Sequence, residues 1–131
     1  MPTIFTKIIN GEIPCYKIAE DERYFAFLDI NPLAKGHTLV IPKQETDYLF
    51  DLDDELLAEM NVFAKKIAVA QKKAIECKRV GVAVLGLEVP HAHIHLIPMN
   101  SEADINFSNP KLKYNPDEFN AIAESIRQEL V

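Results

Sequence analysis

Three of the chain's four histidines, His91, His93 and His95, stand at alternate positions between Pro90 and Pro98, separated by Ala92 and Ile94 and followed by Leu96 and Ile97. A period of two is the pattern of a half-buried strand, so the spacing predicts that all three imidazoles share one face while Ala92, Ile94 and Leu96 enter a core. At a rise of about 3.3 Å per residue, alternate side chains lie about 6.7 Å apart, and a small anion can touch two rings at once. Two neighbouring cationic rings at that spacing would repel by about 2.5 kcal/mol at an effective dielectric near 20. Few protons are therefore expected on the row near neutral pH. At least one ring is then a free base able to attack, and a protonated neighbour would steady an anionic substrate. The same pattern, completed by His37, also suits zinc, although no Cys, Asp or Glu is interleaved to tighten a ligand set.

The remaining bounds are compositional. A chain of 131 residues buries roughly two thirds of its unfolded surface, enough for one core and one domain spanning 1–131. Its 48% hydrophobic and 26% charged residues are those of an ordinary globular protein. A net charge of -6 argues against a nucleic-acid partner, which normally demands clustered Lys and Arg, but leaves a single nucleotide open, since a few oriented donors hold one phosphate. Cys15 and Cys77 form no C-x-x-C pair and no disulfide framework. With neither a leader-like apolar stretch nor a run approaching the ~18 residues of a membrane span, a cytoplasmic protein is the expectation.

Along the chain, Thr3 is a candidate cap for a short helix over Ile4 to Asn10 that stops at Gly11. Cys15 to Ala19 and Arg23 to Ile30 read as a hairpin around Glu20-Asp21-Glu22, and His37 to Ile41 as a further strand. Leu52, Leu56, Met60, Phe63, Ile67 and Ala70 recur at helical spacing and predict one long helix from about Leu52 to Glu76. Arg79 to Leu85 reads as a strand, Gly86 as a turn and Val89 onward as the histidine strand. Asn115-Pro116 is a strong helix start after an aperiodic stretch, Ser101 to Tyr114. The fold class expected is α+β: a mainly antiparallel sheet of about five strands with one long helix, a short N-terminal helix and a C-terminal helix.

His91-Ala92-His93-Ile94-His95-Leu96-Ile97 resembles the signature of the histidine-triad (HIT) family of nucleotide hydrolases and transferases. A second match lies upstream, in Thr3-Ile4-Phe5-Thr6-Lys7-Ile8-Ile9-Asn10-Gly11-Glu12-Ile13-Pro14, Phe25 to Pro32 and Gly36 to Lys43, so the likeness runs from about Thr3 to Pro98. The resemblance implies a HIT-like domain that binds a small purine nucleotide such as AMP, needs no cofactor or metal, and forms a homodimer. It implies that His93 attacks the α-phosphate to form a nucleotidyl-histidine, that His95 contacts a phosphate oxygen, that His91 holds His93 in its reactive tautomer, and that His37 supports the site. Asp29 would accept the ribose hydroxyls. Phe5 and Ile8 of the first helix, Leu28 and Ile30 beside Asp29, and Gly86, Leu87, Glu88 and Val89 before the triad would complete the nucleotide site.

Phosphoramidase-like and nucleoside polyphosphate hydrolase activities both fit such a site. Two other readings stay open: a nucleotide-binding module with little turnover, and a metal-binding histidine protein. In two places the chain departs from relatives. Some bacterial members carry zinc-binding cysteines where this sequence has Thr3 and Thr6, so no N-terminal zinc is expected here. In many others a Gln and a Ser or Thr follow the glycine matching Gly86, where this sequence has Leu87 and Glu88. A carboxylate beside a phosphate is repelled, which favours an amine leaving group over a polyphosphate one.

Overall fold

The computed structural model describes residues 2–130. Helix α1 (Ile4–Ile9) starts where the Thr3 hydroxyl accepts the Thr6 N–H at 3.1 Å, and the chain leaves it through Gly11 at φ +80°. Strands β1 (Lys17–Glu20) and β2 (Tyr24–Leu28) form the expected hairpin, with the Asp21 carboxylate accepting the N–H groups of Arg23 and Tyr24 in the turn. Strand β3 (Thr38–Pro42) follows, then a 3-10 turn (Leu49–Asp51) and helix α2 (Asp54–Ala74), capped by Asp53. Strands β4 (Arg79–Ala83) and β5 (Ile94–Met99) precede helix α3 (Pro116–Arg127), which opens on a reciprocal Asn115–Glu118 capping box.

The five strands make one antiparallel sheet in the order β1-β2-β3-β5-β4, the α+β architecture expected. Some boundaries differ from those expected. The first strand begins at Lys17 rather than Cys15, and β2 ends at Leu28, leaving Asp29 and Ile30 outside the ladder. The largest difference is at the histidines: β5 starts at Ile94, so only His95 lies in the strand. Pro90 has no N–H to give, and the N–H groups of His91 and Ala92 go to the carbonyls of Val89 and Thr46.

The sheet has two differently used faces. Ala26, Leu28, Val40, Ile94 and Leu96 pack against Met60, Phe63 and Ile67 of α2 and Phe119, Ile122 and Ile126 of α3, forming the main core. On the opposite face Phe25, Phe27, Leu39 and Ile41 are covered by Phe5 of α1, with Ile8 and Val89 at the margin. Directly opposed residues point the same way, so the pairings Phe27–Leu39, Leu39–His95 and Ala83–His95 set His95 on this second, thinly covered face. Ile94 and Leu96 anchor it from behind; truncating either buried side chain to Ala would cost about 2–5 kcal/mol.

Candidate active site

Each histidine is held by a specific partner, whether backbone, hydroxyl or a second imidazole. His91 is fully buried, with Nε2 2.8 Å from the Pro42 carbonyl and Nδ1 2.7 Å from the Thr3 hydroxyl. His93 has Nδ1 2.8 Å from the carbonyl of His91. His95 has Nδ1 2.9 Å from Nε2 of His37, whose own Nδ1 receives the Leu33 N–H at 3.0 Å. The rings do not form an evenly spaced row: those of His93 and His95 meet edge to face at 5.0 Å, whereas Phe5 packs edge-on against both His91 and His93.

These partners assign the protons. A carbonyl can only accept, so His91 carries its proton on Nε2 and His93 on Nδ1. In the neutral ring, His93 Nε2 is therefore the nitrogen that carries the lone pair. A backbone N–H can only donate, so His37 is protonated on Nε2 and gives that proton to His95 Nδ1, which places the remaining His95 proton on Nε2. A ring nitrogen acceptor thus stands beside an N–H donor. It is the main-chain carbonyl of His91 that meets His93 Nδ1, while the His91 ring pins the segment to Pro42 and Thr3.

Electrostatics favour the neutral forms of His37, His91 and His95. Burial pushes His37 down to about 3, helped by His95, and His95 down to about 4, helped by His93. Burial likewise lowers His91, opposed by the Pro42 carbonyl. A protonated neighbour waiting for the substrate, expected from the sequence, is not what the site holds; the donor is an uncharged N–H. His37, 1% exposed, reaches the site only through His95.

Asp29 lies just past β2, with Oδ1 accepting the Asn31 N–H at 2.8 Å and Oδ2 3.6 Å from His37 Nε2. Burial raises its carboxyl, opposed by the Asn31 N–H and by His93 and Lys111. It combines a turn-capping role with one oxygen left for a ligand. Asp29, His37 and His95 bring ligand atoms within 4.8 Å of one another, close enough for a divalent cation. Their protons argue against that use, because a metal would have to displace the His37 Nε2 proton and break the bond to His95.

Of the remaining expected site residues, Phe5, Ile8 and Val89 border the apolar face beside His93. Ile30 is exposed, and Gly86 turns at φ +73° with Leu87 92% exposed and Glu88 on the rim. The Glu88 charge is felt at Asp29. Leu28 must be reassigned: it faces α2 in the main core, because the alternation along β2 sends Phe25 and Phe27 to the ligand side instead.

Sequence reasoning missed four contributors. Phe27 and Leu39 belong to the apolar cluster on the sheet face that carries His95, and the apolar strands had no marker for which face that would be. Phe107 sets its ring edge-on to His95 at 4.9 Å, and Lys111, bonded to the carbonyls of Phe107 and Asn109, places its charge within range of Asp29 and His37. Both come from the aperiodic stretch after the triad, where a lone Phe among polar residues was the only signal.

The HIT domain family model matches residues 10–102. Adenosine 5'-monophosphoramidase hnt1 of Schizosaccharomyces pombe is 37% identical over 136 residues, covering 99% of each chain. The crystal structure of a HIT-like protein involved in cell-cycle regulation from Bartonella henselae superimposes with a TM-score of 0.85 at 35% identity, over 98% of this chain and 96% of that one. A zinc-bound histidine triad family protein from Mycobacterium smegmatis gives a TM-score of 0.82 at 30% identity, over 97% and 91%. The chain belongs to the HIT family, the histidine triad nucleotide-binding proteins.

Proposed function

We propose that this HIT-family nucleotide hydrolase acts at the α-phosphate of a purine nucleoside 5'-phosphate derivative through a covalent nucleotidyl-His93. The observation that carries the reading is the His93 Nε2 lone pair, held by the Nδ1 bond to the His91 carbonyl, beside the His95 Nε2–H. His93 Nε2 forms the N–P bond as the bond from phosphorus to the leaving group breaks, and the leaving group departs with the electron pair and takes up a proton. Water then attacks phosphorus, the N–P bond breaks, and a nucleoside 5'-monophosphate leaves. His95 donates to a phosphate oxygen as charge develops there, and its neutrality avoids charging a buried ring beforehand.

Asp29 offers its free oxygen to the ribose, and Phe5, Ile8, Phe27, Ile30 and Val89 line the way for the base. Gly86, Leu87 and Glu88 face the leaving group. The S. pombe relative's name supports an amine leaving group, as does Glu88, which disfavours additional phosphates. A homodimer is supported by β4, an edge strand with Val82 exposed, and by the exposed Val84, Leu85 and Leu87 just beyond its end. The free thiols Cys15 and Cys77 suit a reducing, cytoplasmic setting.

The test is intact-protein mass after mixing with an adenosine 5'-phosphoramidate. Wild type should gain one nucleotidyl group transiently. His93→Ala should gain none while keeping its AMP affinity within about tenfold, about 1.4 kcal/mol. Unchanged turnover in that variant removes the assignment, and tight AMP binding by wild type without any adduct makes the chain a binding module.

A further inference from the structure

The inner stripe of α2 is apolar except at one place. Gln71 follows Phe63 and Ile67 at four-residue steps and is 0% exposed, yet carries an amide into the core. Its Nε2 donates to the Gly36 carbonyl at 2.9 Å and to the Leu96 carbonyl at 3.1 Å. Its Oε1 has no hydrogen-bond partner among the described residues. Exchanging the amide's oxygen and nitrogen would aim Oε1 at two carbonyls, so the partners fix its orientation.

The two carbonyls are neighbours of the histidine pair. Gly36 immediately precedes His37, and Leu96 immediately follows His95. Pairing of β3 with β5 spans only Thr38–Leu96, Leu39–His95 and Val40–Ile94. Past its end two acceptors, one from each chain segment, are tied together by the two protons of a single Nε2. A buried acceptor without a partner destabilises a fold relative to an apolar side chain of the same shape, so this amide calls for a role other than stability.

We propose that Gln71 is a positioning residue for the triad: it fixes the separation of the backbones carrying His37 and His95, and thereby the ring pair that presents the His95 Nε2–H. Gly36 fits the same arrangement, since a side chain there would press on Ile75 just past α2 and lift its carbonyl away. The effect on turnover rests on the hydrolase reading above; the effect on the rings does not.

Nitrogen-15 NMR of the ligand-free protein reads the rings directly. In wild type both Gln71 Nε2 protons should exchange slowly with solvent and His95 should show a single, Nε2-protonated tautomer. In Gln71→Met, similar in length but without donors, the melting temperature should hold or rise while His95 shows mixed tautomers. The kcat for a phosphoramidate should fall about tenfold with KM within twofold. Rapid exchange of the wild-type Gln71 protons overturns the proposal without any variant. Unchanged His95 signals in folded Gln71→Met overturn it too, even if stability and kcat fall together, because that pattern is a structural role alone. Altered ring signals with no turnover by either protein leave the positioning role standing and remove the hydrolase reading.

Discussion

His37 Nε2 lies 2.9 Å from His95 Nδ1, and the bond between them has one direction: the Leu33 N–H occupies the other His37 nitrogen, so His37 must donate and His95 must accept. A fully buried histidine thereby decides which nitrogen of its neighbour carries a proton.

His37→Leu should remove that direction. The His95 ring would lose its donor partner and populate both tautomers, and kcat should fall roughly 10- to 100-fold, as expected when an oriented group is released. Nucleotide affinity should stay within about threefold. His37→Gln, whose amide can still donate, should recover part of the loss. Steady-state kinetics of the two variants side by side checks this; equal rates in both would show that the space is filled but no proton direction is imposed.

The same pair sets a pH dependence of stability. His37 and His95 titrate near 3 and 4 in the folded protein against 6.5 unfolded. Depressed folded values mean that the unfolded chain takes up protons first as pH falls. The contribution is complete above about 6.5 and is lost through the window down to the folded values, at up to about 1.4 kcal/mol per pH unit for each ring. Denaturant midpoints should be flat from pH 8 to 7 and fall below 6.5. In His37→Leu the slope should be shallower, since one of the two sites is gone.

Thr3 joins the first helix to the triad twice, as the cap of α1 and as the hydroxyl donor to His91 Nδ1. The neighbouring Thr6 hydroxyl and Thr3 N–H both go to Glu45, so an oxygen and nitrogen network occupies the place where thiolates were looked for and not found in the sequence. Thr3→Val removes the cap and leaves a buried ring nitrogen unpaired, a loss of about 2 kcal/mol. Thr3→Ser should be near neutral. Urea unfolding of both variants measures the difference.

What the sequence made legible follows from periodicity. The alternation through Ile94, Leu96 and the histidines, the 3.6-residue stripe of α2 and the Asn115 cap each contain their own answer locally, and the five-stranded α+β fold comes from them. What stayed hidden depends on distant partners. Nothing near Pro90 announces that the N–H of Ala92 will be taken by Thr46, which is why the triad strand was drawn too long. Leu28 neighbours Asp29 in sequence, but the face it takes is decided by pairing with Thr38, which turns it to the main core. Gln71 reads as an ordinary polar residue until the helix is docked on Gly36 and Leu96.

The exposed edge of the sheet carries an assembly prediction. Val82 is 62% exposed on β4, where unpaired backbone and apolar side chains suit a two-fold partner. Sedimentation at micromolar protein should give twice the 14.8 kDa chain mass, and Val82→Glu should shift it toward the single chain. A wild-type mass of one chain would sink the dimer.

Glu88 separates the two leaving-group classes. It is exposed on the loop entering the triad, and its charge adds a small upward push on the Asp29 carboxyl, which burial chiefly raises. A second or third substrate phosphate held near this rim would meet like charge, whereas an amine departing from phosphorus would meet a carboxylate able to attract it or accept a hydrogen bond from it. Lys111, whose charge opposes Glu88 at Asp29, is tied to the Phe107 and Asn109 carbonyls and is thus held in place rather than free to follow a polyphosphate chain. Wild type should therefore cleave adenosine 5'-phosphoramidates with a higher kcat/KM than diadenosine polyphosphates. Glu88→Ser should narrow that ratio by roughly tenfold, about 1.4 kcal/mol, mainly by improving the polyphosphate. Because exposed charges are screened, the ratio in wild type should also shrink as salt is raised from 0.01 to 1 M, and it should do so less in Glu88→Ser. Equal wild-type rates on both classes, or a ratio untouched by the substitution, would take Glu88 out of leaving-group selection.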